Sequence, residues 1–177
     1  MQVSTKIWSA FLIYLMTTSS LFAQLGWMPG VAPSLELGEN LAGINIRAYY
    51  GVNDHFCFGP EATFFPKTTI DDNYKLSISE FNFNGHYAIE LAHRFGIYPL
   101  AGINYTIEQK EENRLDGLHT EQEEALGINY GAGFHYSLGR TFLFAEFKGV
   151  SGKLNDEFIT IGAFVLLKKP KQKTEDH

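Results

Sequence analysis

The sequence predicts an all-β chain: an eight-stranded antiparallel up-and-down transmembrane β-barrel, apolar on its outer wall and polar within. Three observations lead there. Leu126–Leu138 reads LGINYGAGFHYSL, with Leu126, Ile128, Tyr130, Ala132, Phe134, Tyr136 and Leu138 at alternate positions and small or polar residues between them. A period of two over such a length is a strand with one apolar and one polar face. Eight segments share this alternation, and the links between them alternate in length. The polar face of the clearest strand holds Gly, Asn, His and Ser, with no Lys or Glu; a crowded, enclosed, wet space favours such side chains.

The elements follow in order. Met1–Ala23 reads as a secretory signal, with Lys6 as its basic start, Ile7–Met16 as its apolar stretch and a small-residue approach to a cut after Ala23. That apolar stretch falls well short of the roughly 20 residues a spanning helix needs. Residues 24–167 form the barrel, and the polar tail Lys168–His177, with Pro170, is expected to be disordered. The strands are expected at Val31–Gly38, Leu41–Tyr50, His55–Phe65, Leu76–Leu91, Phe95–Gln109, Ala125–Leu138, Thr141–Val150 and Glu157–Leu167. Links at Gly51–Asp54, Ala92–Arg94 and Gly139–Arg140 are short, whereas Pro66–Lys75, Lys110–Glu124 and Ser151–Asp156 are longer. Outer-membrane barrels have short periplasmic turns and longer outer loops, so both termini are expected in the periplasm. The Glu39–Asn40 hairpin departs from this by being tight on the outer side.

Apolar side chains continue along one face through Ile44, Ile46, Phe81, Phe83, Ile97, Ile103, Ile159 and Ile161. Tyr50, Phe56, Phe64, Tyr74, Tyr98, Tyr105, Phe142 and Phe158 lie near strand ends and are expected to form interfacial girdles. Alternation alone does not say which face is inside. A soluble periplasmic lipocalin-like barrel binding a small apolar ligand would turn the apolar face inward. Three features favour the opposite orientation: the Gly- and Asn-rich polar face, the asymmetric links, and an exported chain whose single cysteine, Cys57, precludes an internal disulfide. The formal net charge of −6 argues against a nucleic-acid partner.

With the polar face inward, the candidate lumenal network is Glu36, Arg47, Glu61, Glu80, His86, Glu90, His135, Glu146 and Lys148, with Asn82, Asn84 and Asn104 among them. Eight strands leave an interior that side chains can fill, and buried charges must be paired. Arg47 and Lys148 are therefore expected to neutralise Glu36, Glu61 and Glu146. His135, Ser137 and Glu146 invite comparison with a hydrolytic triad. They resemble the His-x-Ser pair and later Glu of an eight-stranded lipid A deacylase family, which would imply a lipid A-modifying hydrolase. The expected position near the short-turn end, away from the outer leaflet, argues for no enzyme. The acidic link Lys110–Glu124 reads as a solvated loop. No zinc, phosphate-loop or HExxH spacing occurs, so no cofactor and no metal is expected.

The signal ending Ser20-Leu21-Phe22-Ala23-Gln24 resembles those of the Bacteroidota, and the GINYGAGFHY strand with its Leu-Gly-Arg turn is similar to the small outer-membrane barrel family related to OmpA and OmpX, porin-like in the broad sense. The resemblance implies a monomeric Gram-negative outer-membrane barrel with outward loops and a structural or surface-interaction role. Its implied partners are outer-membrane lipids, lipopolysaccharide and, during insertion, the barrel-assembly machinery. The chain departs from that pattern by ending its last strand in Val165-Leu166-Leu167 before the tail.

Overall fold

The computed structural model describes residues 26–71, 74–114 and 117–167. The stretch read as a signal, Met1–Ala23, and the tail Lys168–His177 lie outside them. The described strands are β1 (Gly26–Glu36), β2 (Ala42–Gly51), β3 (Phe56–Asp71), β4 (Tyr74–Tyr87), β5 (Ile89–Ala92), β6 (Phe95–Arg114), β7 (Gly117–Leu138), β8 (Thr141–Gly152) and β9 (Glu157–Val165). Each pairs antiparallel with its sequence neighbour, except that β4 and β5 both lie against β6, and β9 returns to β1. The register against β6 carries across from β4 to β5, with His86 opposite Leu100 and Ile89 opposite Ile97, and shifts between Glu90 and Ala92. They form a single stave, interrupted at Ala88, whose N–H donates to the His55 carbonyl (2.6 Å). Nine segments thus trace a closed eight-strand barrel.

The pleat decides what faces where, and the orientation is unambiguous. Tyr130 is half exposed on the outer wall, while its neighbour Asn129 is fully buried inside. Val31, Ile44, Ile46, Phe83, Ile103, Ile128 and Ile161 all face outward, while Asn45, Glu61, Thr63, Glu80, Asn84 and Lys148 are buried. The continuous apolar wall faces outward, the reverse of what a lipocalin-like barrel needs.

Short connections sit at both ends. At the end shared by Gly26 and Val165, Gly139 turns in the left-handed region (φ 76°) between β7 and β8. At the other end, Asn40 does the same (φ 56°) between β1 and β2, a conformation asparagine tolerates better than most side chains. The asymmetry expected of the loops is instead one of strand length. β2 has 10 residues and β9 has 9, close to the 9–11 that a tilted strand needs to cross a bilayer. β6 has 20 and β7 has 22. The stretch expected as the loop Lys110–Glu124 is therefore mostly paired strand, in unbroken register from Phe95–Tyr136 to Arg114–Gly117. Most of Pro66–Lys75 likewise belongs to β3 and β4.

The seam between β1 and β9 is less regular. Its pairs run Gly30–Phe164 and Val31–Ala163, then resume at Ser34–Thr160. Pro33 lies in the skipped stretch, and proline has no N–H for a ladder. Gly162 admits the close approach of Ala32, whose Cβ would lie 2.3 Å from a Cβ added there. Ser34 and Thr160 join their hydroxyls across the seam (2.8 Å).

Ala101 sits midway along the outward row of β6 that runs from Phe95 to Ile107. Ala101→Arg is expected to lower unfolding stability in phospholipid vesicles by about 2–4 kcal/mol, the cost of a cation near the bilayer midplane. Urea titration followed by tryptophan fluorescence checks this, and an unchanged midpoint would contradict the outward orientation.

Candidate functional site

Inward-facing positions at the middle of β2, β3, β4 and β8 bring five charged side chains together. Arg47 extends its guanidinium to Glu146 as a fork (Nη1–Oε2 3.1 Å, Nη2–Oε1 3.3 Å) and lies 3.4 Å from Glu61. Lys148 bridges Glu61 (3.0 Å) and Glu80 (3.2 Å). All five are almost wholly buried. Two cations against three carboxylates leave an excess acid, and neutral donors surround the carboxylates. Tyr49 donates its hydroxyl to Glu61 (2.8 Å), Tyr98 to Glu146 (3.0 Å) and Asn104 its amide to Glu80 (3.0 Å). An amide relay continues from there: Asn104 donates to Asn82 (2.8 Å), and Asn129 donates to both Asn82 (2.9 Å) and Asn84 (2.7 Å). Ion pairs withdrawn from water need this full set of partners to offset desolvation. The cations also rest on rings: the Arg47 guanidinium carbon lies 4.3 Å from the centre of Phe144, and Lys148 Nζ lies 5.0 Å from that of Phe158.

An apolar layer covers the network toward the long hairpins. Leu41, Phe65, Leu76, Ile78, Val150 and Phe158 form one buried cluster, with Phe65 stacked on Phe158 at 5.5 Å. Gly43 makes room for it, since a Cβ there would lie 2.5 Å from the Phe65 ring. An aromatic layer lies on the other side. The His86 ring is held between Tyr49 (4.4 Å) and Tyr98 (4.8 Å, nearly parallel), and Phe142 stacks on Phe164 at 5.2 Å. A cavity of about 80 Å³ opens there beside Met28, Cys57, His86 and His135. Buried His86 Nε2 makes no hydrogen bond and lies 3.9 Å from Glu146.

The candidate residues divide accordingly. Arg47, Glu61, Glu80, Glu146 and Lys148 meet, and His86 lies just beneath them. Glu36 does not join: it stands at the rim, where its carboxylate accepts the backbone N–H groups of Gly38 and Glu39 and caps the β1–β2 turn. Glu80 takes the position against Lys148 that was expected of Glu36. Glu90 is half exposed at the terminal end and bonds His135 (3.0 Å). The residues compared with a triad have other partners: His135 meets Glu90, and Glu146 meets Arg47 and Tyr98. Tyr98 and Phe158, expected in the girdles, are buried inside. Asn129 is buried, as the polar face of its strand implies; Tyr49 and Asn45 also belong to the interior, and parity alone could have found them, since each lies between outward-facing neighbours.

At the long-hairpin rim, Asp156 in the β8–β9 connection has a buried carboxylate oxygen, Oδ2, with no hydrogen-bond partner. Burial, with Glu80, Glu36 and Glu108 nearby, pushes its carboxyl up to about 6, against the weaker opposing pull of Lys110.

Three outcomes follow. Glu146→Ala leaves Arg47 without its forked partner, and the loss is expected to be about 3–5 kcal/mol. In an unfolding series, Arg47→Met combined with Glu146→Leu is expected to cost less than the sum of the single changes. The folded protein holds the Asp156 proton more tightly than the unfolded chain, whose carboxyl titrates near 4. Stability is therefore expected to rise as pH falls from 7 toward 4, a contribution that Asp156→Asn removes. Thermal midpoints of wild type and variant across that range check it.

Comparison with known proteins gives the same architecture. Ail, the attachment invasion locus protein of Yersinia pestis, superposes with TM-score 0.59 at 12% identity, covering 80% of this chain and 99% of its own. The N-terminal β-barrel domain of Pseudomonas aeruginosa OprF gives 0.58 at 15% identity, covering 82% and 100%. A major outer membrane protein from Thermus thermophilus gives 0.62 at 10%, covering 80% and 98%. No curated protein matches this sequence. The model of the outer membrane protein beta-barrel domain matches residues 19–162, and the chain belongs to that family of outer-membrane barrels.

Proposed function

We propose that this chain is a non-enzymatic outer-membrane barrel with an interior closed to ions, and that its role is structural or a surface interaction made through its long hairpins. The observation that carries the first part is the stacking of layers across the bore. Arg47, Glu61, Glu80, Glu146 and Lys148 fill its middle, and the Phe65–Phe158 cluster covers them. An ion would have to pass a dry apolar layer and then displace side chains already committed to one another. The second part is supported by β6 and β7, which are about twice as long as a membrane crossing requires. The name attachment invasion locus protein, carried by one structural neighbour, fits a small barrel of this fold working through its surface.

In this reading Met1–Ala23 is a signal removed on export, both termini face the periplasm, and the long hairpins face outward. The monomeric barrel contacts outer-membrane lipid and lipopolysaccharide along its apolar wall. The assembly machinery is its partner during insertion.

Planar-bilayer recording tests the closed interior. Purified protein is expected to give no stable conductance step in the nanosiemens range. A long-lived open level of that size in wild type would overturn the proposal.

A further inference from the structure

The cavity at the terminal end of the bore is blind. The ion network and the Phe65–Phe158 layer close the bore further in, so whatever enters here is held rather than passed through. Met28, His86 and Tyr98, all buried, line it on the inner side, together with the rings of Phe142 and Phe164. Asp54 and Glu90 line it from exposed positions. Glu90 lies on β5, just past the interruption at Ala88, and bonds His135 at 3.0 Å. Gly96 leaves the space that the His135 ring occupies, since a Cβ there would lie 2.5 Å from it.

Charge, wall chemistry and size together select the ligand. Two carboxylates line the cavity and, among the described residues, no lysine or arginine does. The adjacent network holds three carboxylates against two cations. A concave site of one charge sign with low-dielectric walls concentrates the opposite ion. Aromatic faces add to that attraction. The imidazole of His86 lines the cavity with Nε2 buried and without a hydrogen-bond partner; a neutral imidazole nitrogen of this kind accepts from an N–H. A dry cavity of about 150 Å³ admits benzene, so one of about 80 Å³ admits a group of about four heavy atoms. A bare metal ion fits less well, because no three His, Cys, Asp or Glu side chains among the described residues are grouped to hold one.

We propose that this cavity is a binding site for a small primary alkylammonium, of the size of ethanolamine. Its ammonium donates to His86 Nε2, with the Glu146 carboxylate 3.9 Å beyond that nitrogen. Its carbons lie against Met28, Phe142 and Phe164. Asp54 and Glu90 draw it in. The same chemistry occurs in a free amine and in the headgroup of phosphatidylethanolamine.

The test titrates the full barrel in phosphatidylcholine nanodiscs with n-propylammonium, n-propanol and tetramethylammonium, read by NMR of the backbone amides and histidine rings. n-Propylammonium is expected to saturate and to bind at least about tenfold more tightly than n-propanol, which matches its size without charge, and than tetramethylammonium, which has no N–H. Shifts are expected at Cys57, His86 and His135 and not along the β6–β7 hairpin. Asp54→Asn with Glu90→Gln is expected to weaken n-propylammonium binding about fivefold or more and to leave n-propanol unchanged. Cys57→Leu, which fills part of the cavity, is expected to abolish binding, with folding checked by heat-modifiable gel mobility; should it not fold, the charge variant still decides. Equal binding of n-propanol, absence of saturation, shifts that spare His86, or full affinity in the charge variant would each overturn the proposal. Repetition in phosphatidylethanolamine nanodiscs separates the two sources. Weakened n-propylammonium binding there assigns the site to the lipid headgroup and unchanged binding to a free amine, and either supports an ammonium site.

Discussion

Hydrocarbon offers no partner to a peptide N–H or C=O, and this is the constraint from which the rest of the molecule follows. Every strand that crosses a bilayer must satisfy its backbone from its neighbours, so the sheet has to close, and here β9 returns to β1 while β4 and β5 share one line against β6. Closure with a period of two then divides the side chains. Ile103 and Tyr130 face outward, whereas Asn104 and Asn129 are confined to a narrow bore. The polar residues along the bore are thus the complement of an apolar wall, and the chemistry of the interior is set by what can be satisfied in a confined space.

The interior resolves that demand in layers. Arg47 and Lys148 each meet two carboxylates, and Tyr49, Tyr98 and Asn104 supply the remaining donors. Such an arrangement gives little stability over an apolar filling of equal shape, but it is intolerant of losing one member. The rings above and below keep water from competing. Glycine works with them: Gly43 and Gly133 leave the space that Phe65 and Tyr98 fill, since a Cβ at either would fall about 2.5 Å from the ring.

Much of this was legible in the residues, because alternation carries face information directly. The orientation of β7 followed from its small polar face, and the inward positions of Arg47, Glu61, Glu146 and Lys148 followed from parity. Height along the bore was not legible, because it depends on the stagger between strands that are distant in sequence. That is why Glu36 was expected opposite a cation and instead caps its own turn, while Glu80 meets Lys148. Ring type suggests a girdle for Tyr98 and Phe158 although parity points them inward; an aromatic suits a girdle and a core equally well. The extension of β6 and β7 is hidden for a different reason. A ribbon wetted on both faces shows no hydrophobic period, so Lys110–Glu124 has the composition of a loop although it pairs as strand.

The irregular junction of β1 with β9 has a consequence for how the barrel comes together. These two strands are the first and last of the described chain, and their ladder omits the stretch around Ala32 and Pro33. Every other joint links consecutive staves and can form as the chain extends, whereas this one must wait for both ends. With fewer backbone bonds to align, the terminal strands can settle against each other in one step, held by the Ser34–Thr160 clasp and the snug fit of Ala32 over Gly162. The same joint is the natural parting line when the closed cylinder is pulled open.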